Sequence, residues 1–381
     1  MSRRLASLDM MKGLAMIMVI LVHFNQSFSN GVDFFRFGQM GCQLFLVVSG
    51  FGACLSFEKK CKKETSFVNA SKSFFLSRIK TIAPPWWFMM FIIYIVNTIL
   101  IQRGHALVFG TNRSFRGILF NALFLNGLIP QCNNNVMPGG WYIGTSMLLY
   151  SITPILICGY KRINKKFFWI ITSICSFVVL CGLAVLASKT DQNEVLTLVG
   201  NNSFGYYSIL SQYPCYSLGI LLYFDYIESG SSYNTYNIFK DFVIGCLIMI
   251  LSIVVFFHPY FMISYILCVL FVGLATYYIL RAMILFERQY NITRKRNFIM
   301  ECGKNSLYVF LIHPFFVWTF VDAVQYILCR FDIASDTYFI YCILLPIVII
   351  LSYCGGLVLE YIIDHIVSWT TARFCISSTV K

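Results

Sequence analysis

The stretch GLAMIMVILVHFNQSFSNGV, residues 13–32, decides the fold class: it holds no Asp, Glu, Lys or Arg. About 20 mostly apolar residues suffice to cross a hydrocarbon core. Equally uncharged runs recur at 37–57, 81–102, 167–188 and 337–359, each sized for one span. Residues 195–224 hold one span with slack, and 242–280 hold two, broken at His258-Pro259. Residues 305–321, extended to Cys329 with Asp322 inside, hold one more. Composition agrees: 58% of the 381 residues are hydrophobic, 17% aromatic and only 12% charged. Soluble domains carry about 25% charged residues, and a soluble globule could not hide so much apolar side chain. Disorder is excluded by the same composition, and the alternating strands of a membrane barrel are absent.

Charge sets the topology. The formal net charge is +13, from 29 Lys and Arg against 16 Asp and Glu. A basic balance can signal nucleic acid, but these residues concentrate in short segments between spans. Arg3/Arg4, the group from Lys59 to Lys80, Lys161/Arg162/Lys165/Lys166 and the group from Arg281 to Arg296 form four clusters. The positive-inside rule places all four in the cytoplasm. The uncharged run 117–160 must then cross an odd number of times. A single span at about 139–159 is expected, with 115–130 a short hairpin or re-entrant piece. Pro130, Asn133–Asn135 and Pro138-Gly139-Gly140 separate the two. The reading is an all-α polytopic integral membrane protein of about ten transmembrane helices, both termini cytoplasmic. A single membrane domain covers 1–370, and 371–381 is a short cytoplasmic tail. Residues 58–80 are expected to form a solvated basic loop. Trp86, Trp87, Trp169 and Trp369 fall where inner-boundary anchors belong.

Arg3 and Arg4 ahead of an apolar run resemble a secretory leader, but no small-x-small site follows Val22, so an uncleaved first helix is expected. The 15 cysteines form no CxxC pair and lie mostly in apolar runs, as small hydrophobes do. No disulfide framework or metal site is indicated. GxGxxG, P-loop and GxSxG patterns are absent.

Ionisable residues inside spans are functional candidates, because burial in lipid costs several kcal/mol unless they are paired or hydrated. His105 falls in an outer loop, His258 at a helix break and His365 near the inner end of the last span. All three read as solvated or interfacial. His23 lies inside the first span, eleven residues after Lys12. Eleven residues are three turns plus about 20°, so both side chains share a face about 16–17 Å apart. Lys12 then sits at the cytoplasmic mouth and His23 deep in the membrane. An imidazole there suits general-base chemistry. The competing reading is a structural His bonded to a carbonyl, with Lys12 as an interfacial anchor paired to Asp9.

Five segments in order resemble the membrane-bound acyltransferase family 3. RLASLDMMKGLA at 4–15, followed by His23, is similar to the family's R-x-x-x-L-D-x-x-R-G-x-A opening, with Lys12 for its Arg. GCQLFLVVSGF at 41–51 is similar to G-V-x-L-F-F-V-L-S-G-F, and FLSRIKTIAP at 75–84 to F-x-x-R-x-x-R-I-x-P. WYIGTSMLLY at 141–150 is similar to W-x-x-x-x-E-x-x-x-Y, and GKNSLYVFLIHP at 303–314 to G-x-x-S-Y-x-L-Y-L-x-H.

The resemblance implies O-acyl transfer, usually of acetyl, from cytosolic acetyl-CoA to a cell-envelope or exported glycan. It makes His23 the catalytic histidine, Lys12 and Arg78 donor-binding, and Lys80 a substitute for the second Arg, which is Thr81 here. Ser146 replaces a Glu. Asp9, Trp141, Tyr142, Ser146, Tyr150 and His313 are further candidates for the cavity or the acceptor site. Ser49-Gly50-Phe51 reads as a helix-packing element. The implied partners are an acyl-CoA donor, a glycan or lipid-linked saccharide acceptor and membrane lipid, without nucleic acid or a permanent cofactor. The implied location is the plasma (inner) membrane. Two other classes fit ten helices with buried polar groups: a transporter or flippase of lipid-linked sugars, and an inactive relative that binds acyl-CoA or glycan. A transporter of the repeat type would show related halves with broken helices, and no convincing repeat is present.

Overall fold

The computed structural model describes residues 5–28, 31–103, 115–129, 132–189, 204–228, 235–257, 264–290, 297–330 and 337–379. Arg3, Arg4, His105, Pro130, His258-Pro259 and Arg294–Arg296 lie outside the described residues, as does the Asp322 side chain.

The chain is helical throughout the described residues, without a strand. Helices α1 (Ala6–Gln26), α2 (Gly41–Cys61) and α3 (Phe67–Gln102) come first, with a 3-10 segment at Asp33–Met40 before α2. A short α4 (Phe115–Ala122) precedes α5 (Gly140–Arg162) and α6 (Lys165–Lys189). Then follow α7 (Phe204–Tyr207), α8 (Ile209–Glu228), α9 (Thr235–Phe257) and α10 (Ser264–Gln289). The short α11 (Phe298–Lys304) leads into α12 (Ser306–Phe315), a π-helical turn (Phe316–Phe320), α13 (Val321–Arg330) and finally α14 (Thr337–Thr379).

Eight of these are long and apolar enough to cross a membrane. Two further rods have spanning length: α8, with 20 residues, and the continuous run from Ser306 to Arg330. Twenty helical residues cover about 30 Å. The ten rods match the expected number, and α4 is the short piece expected before the span at 139–159.

Polar contacts gather at one end of the bundle. Lys161 at the end of α5 pairs with Glu58 near the end of α2 at 2.6 Å. Lys165 at the start of α6 pairs with Glu228 at the end of α8. Arg281 of α10 reaches Asp241 of α9 at 3.3 Å. Helix starts and helix ends thus alternate at this basic end, the up-down order that charge parity requires.

Helix α2 lies at the centre against α8, while α1 packs on α11, α9 on α10 and α12 on α14. Glycine permits the closest approaches. A Cβ on Gly303 would lie 1.7 Å from the Asp9 carbonyl oxygen, and one on Gly13 1.9 Å from that of Ile299. Similarly, a Cβ on Gly50 would lie 2.1 Å from the Tyr216 carbonyl oxygen. Gly50 therefore packs helices, as small residues do in membranes.

Several expectations need correction. Residues 58–80 are not a solvated loop: α2 runs to Cys61 and α3 starts at Phe67, capped by the Ser66 side chain accepting from the Asn69 N–H at 3.1 Å. A charged helix end does not stop at the hydrocarbon boundary, because its backbone bonds are internal. Helix α14 likewise continues to Thr379, so the segment expected as a tail is helical as far as it is described. Trp86 is no interfacial anchor but fully buried. Its Nε1 donates to the Asn121 carbonyl, and that of Trp87 to the Ala122 carbonyl, both at 2.9 Å. Both carbonyls lie at the end of α4, and that of Asn121 also accepts the Phe124 N–H at 3.1 Å. Trp169 likewise donates to the Pro214 carbonyl of α8 at 3.2 Å.

Candidate active site

Helix α1 positions the central histidine. Glu287, near the end of α10, accepts the backbone N–H groups of Ala6 and Ser7, each at 2.9 Å. A carboxylate there satisfies orphan donors and opposes the positive end of the helix dipole. The helix therefore begins seven residues before the uncharged run and closes at Gln26. Lys12 sits in its second turn, half-buried, and His23 in its last. His23 thus lies at the far end of α1 from its Glu287-bound start. It stands at the end of the bundle opposite the basic residues.

There His23 helps line a cavity of about 460 Å³, within the size range of small-molecule sites. Its walls combine aromatics (Trp141, Tyr206, Tyr207 and Trp318) with the amides of Gln26, Gln39 and Asn134. The wall is itself braced. Gln43, fully buried, donates to Gln212 Oε1 at 2.8 Å and to the Tyr206 hydroxyl at 3.3 Å. Gln212 in turn donates to the Tyr206 carbonyl at 2.6 Å. Trp141 lies at the start of α5 with ring centroids 5.4 Å from Tyr206 and 5.1 Å from Tyr207.

His23 Nδ1 lies 3.1 Å from Gln26 Oε1. As an N–H donor to that amide oxygen, it leaves Nε2 with the lone pair. The ring of His313 is 5.2 Å from that of His23, and Trp318 meets His23 edge-on at 5.6 Å. The π-helical turn after Pro314 sets Trp318 at this position. Such turns recur at functional sites.

A path of side chains leads from this pair toward the basic end. Phe310 lies 5.6 Å from His313 and 5.4 Å from Tyr142. Tyr142, Ser146 and Tyr150 follow at four-residue spacing on one face of α5. Ser146 Oγ is buried and makes no hydrogen bond among the described residues. The Arg78 guanidinium stacks 5.0 Å from the Tyr150 ring and 5.1 Å from Phe74. One of its NH2 groups donates to the Gly52 carbonyl at 3.4 Å, and its buried Nε is unpartnered. No carboxylate pairs with Arg78 among the described residues.

The structure therefore brings His23, His313, Trp141 and Tyr142 together, with Ser146, Tyr150 and Arg78 continuing inward. It does not bring in Lys80, which is exposed two residues, or about 200°, around α3 from Arg78. Thr81 is exposed too, donating to the Ser77 carbonyl at 3.0 Å. Asp9 is buried where α1 meets α11, remote from His23 along the helix. His365 is exposed, with Nδ1 3.0 Å from the Tyr361 carbonyl oxygen. Sequence reasoning missed Gln26, Gln39, Tyr206 and Trp318. Only Gln26 carried a signal, since i,i+3 places it beside His23.

The family model described as "Acyltransferase domain" matches residues 5–365, nearly the whole chain. The chain therefore belongs to acyltransferase family 3, as a multi-pass membrane member. Over 162 residues it is 28% identical to a Caenorhabditis elegans protein named "Regulator of hypoxia-inducible factor 1". That alignment covers 41% of this chain and 31% of the relative, so the chain spans about a third of the relative's length. No solved structure matches.

Proposed function

We propose that this protein is an integral membrane O-acyltransferase that moves an acetyl group from cytosolic acetyl-CoA to a hydroxyl of a cell-envelope or exported glycan. One observation carries the reading. His23 faces a cavity of aromatics and amides at one end of the bundle, while Arg78, with no carboxylate partner among the described residues, lies behind it toward the basic end.

The basic end attracts the polyanionic donor from the cytosol. Lys12 and Arg78 hold phosphate oxygens through charge-assisted bonds. The thioester reaches the His23 region along the Tyr150–Tyr142 path. On the opposite side, aromatic faces and amides suit the apolar faces and hydroxyls of a sugar. His23 Nε2 takes the proton from the acceptor hydroxyl as its oxygen attacks the carbonyl carbon. The C–O bond forms, the C–S bond breaks, and the CoA thiolate takes the proton from the imidazolium. The membrane is the inner (plasma) membrane, with the basic end inward.

The test uses the full chain in nanodiscs. Acetyl-CoA-dependent CoA release is followed with and without an envelope-glycan extract, for wild type and His23→Ala. Glycan-stimulated release that disappears in His23→Ala, with labelled acetyl-CoA still bound, is the expected result. Wild-type protein that binds no acetyl-CoA would refute the donor assignment and favour transport.

A further inference from the structure

His313 is fully buried, yet its hydrogen bonding is incomplete. Nδ1 lies 2.7 Å from the Phe310 carbonyl oxygen. A carbonyl only accepts, so Nδ1 carries the proton and Nε2 a bare lone pair. That Nε2 is buried and has no hydrogen-bond partner among the described residues. Buried polar atoms are nearly always satisfied, and an exception calls for a reason. The neighbouring ring is that of His23, with centroids 5.2 Å apart, and His23 is the group that gains a proton in the proposed reaction. His23 Nδ1 is held by Gln26, so both imidazoles present the same tautomer, each with a basic Nε2.

Resting on the base role of His23, we propose that His313 is its positioning partner: its unpaired Nε2 is the acceptor that shares the proton His23 takes from the substrate hydroxyl. The proton stays within the two-imidazole pair while the C–O bond forms. It then leaves to the CoA thiolate as the C–S bond breaks, restoring two neutral rings. No oxidant, metal or further reactant is needed. His313 lies between His23 and the Phe310–Tyr142 path, the side from which the donor comes, so the shared proton is held on the leaving-group side.

Two variants separate this role from packing. His313→Asn keeps a donor where Nδ1 meets the Phe310 carbonyl but has no acceptor at the Nε2 position. His313→Gln offers an amide oxygen near that position instead. Steady-state CoA release, with both substrates varied, is measured for each variant beside His23→Gln. The expected result is a kcat at least tenfold lower in His313→Asn, KM values within about twofold of wild type, and partial recovery of kcat in His313→Gln. The reverse order of the two variants would assign His313 to holding Phe310 and overturn the proposal. So would wild-type kcat in His313→Asn while His23→Gln is inactive, which leaves the base role standing. Full activity in His23→Gln would refute the base role itself. Should His313→Asn not fold, a kcat for His313→Gln no higher than that of His313→Leu would equally overturn the proposal.

Discussion

Glu287 and Ser7 are joined twice: the carboxylate of Glu287 accepts the Ser7 backbone N–H at 2.9 Å and the Ser7 hydroxyl at 2.5 Å. The contact spans 280 residues of sequence and fixes where the first helix starts. It thereby fixes how far along that helix His23 stands. Losing such a cap costs about 0.5–2 kcal/mol. Glu287→Ala is expected to lower the thermal midpoint in detergent by a few degrees, with Glu287→Gln intermediate because it keeps one acceptor oxygen. An unchanged midpoint in Glu287→Ala would show that the contact contributes nothing to stability.

The α1–α11 crossing has no room for a methyl group. A Cβ on Gly303 would overlap the Asp9 carbonyl, whereas one on Gly52 would meet nothing within 4 Å. Overpacking typically costs about 1–3 kcal/mol, and a backbone obstacle cannot swing aside as a side chain does. Gly303→Ala should reduce the yield of monodisperse protein and its melting temperature, and Gly52→Ala should not. Equal behaviour of the two in size-exclusion chromatography and thermal scans would contradict the packing.

Arg78 and Lys80 lie two residues apart but on different faces of α3. Arg78 is stacked in the bundle and Lys80 is exposed. A hydrogen bond to a charged group contributes about 1.5–3 kcal/mol, and each 1.4 kcal/mol is about tenfold in affinity. Arg78→Ala should therefore raise the KM for acetyl-CoA by about 10–100-fold. Arg78→Lys should recover little, since an ammonium neither stacks nor forks as a guanidinium does. Lys80→Ala should leave the KM within about twofold. A larger effect from Lys80→Ala than from Arg78→Ala would move the donor site to the outside of α3.

Trp141 offers its ring to the cavity beside Tyr206 and Tyr207. Removing an aromatic contact of this kind costs about 0.5–1.5 kcal/mol beyond area burial. Trp141→Ala should weaken the acceptor KM by about 3–10-fold while the acetyl-CoA KM stays put. A selective rise in the donor KM would place the donor, not the acceptor, in this cavity.

The sequence alone determined the solvent of this protein and the order of its helices. Long runs without charge suit lipid, and the basic clusters between them all fall on one side, so spans and parity follow from counting. Five short motifs also carried the family and named His23, Arg78, Trp141 and His313. The sequence did not show where a helix starts, because Glu287 reaches α1 from the far end of the chain. Nor did it separate Arg78 from Lys80 or Trp86 from an interfacial anchor, since burial depends on which neighbour covers a face. Only the tertiary structure set the His313 ring beside His23 and turned Trp318 onto it through a π-helical turn. Spacing within one helix fixes which residues share a face, but the pairing of two faces is settled by close packing between helices distant in sequence.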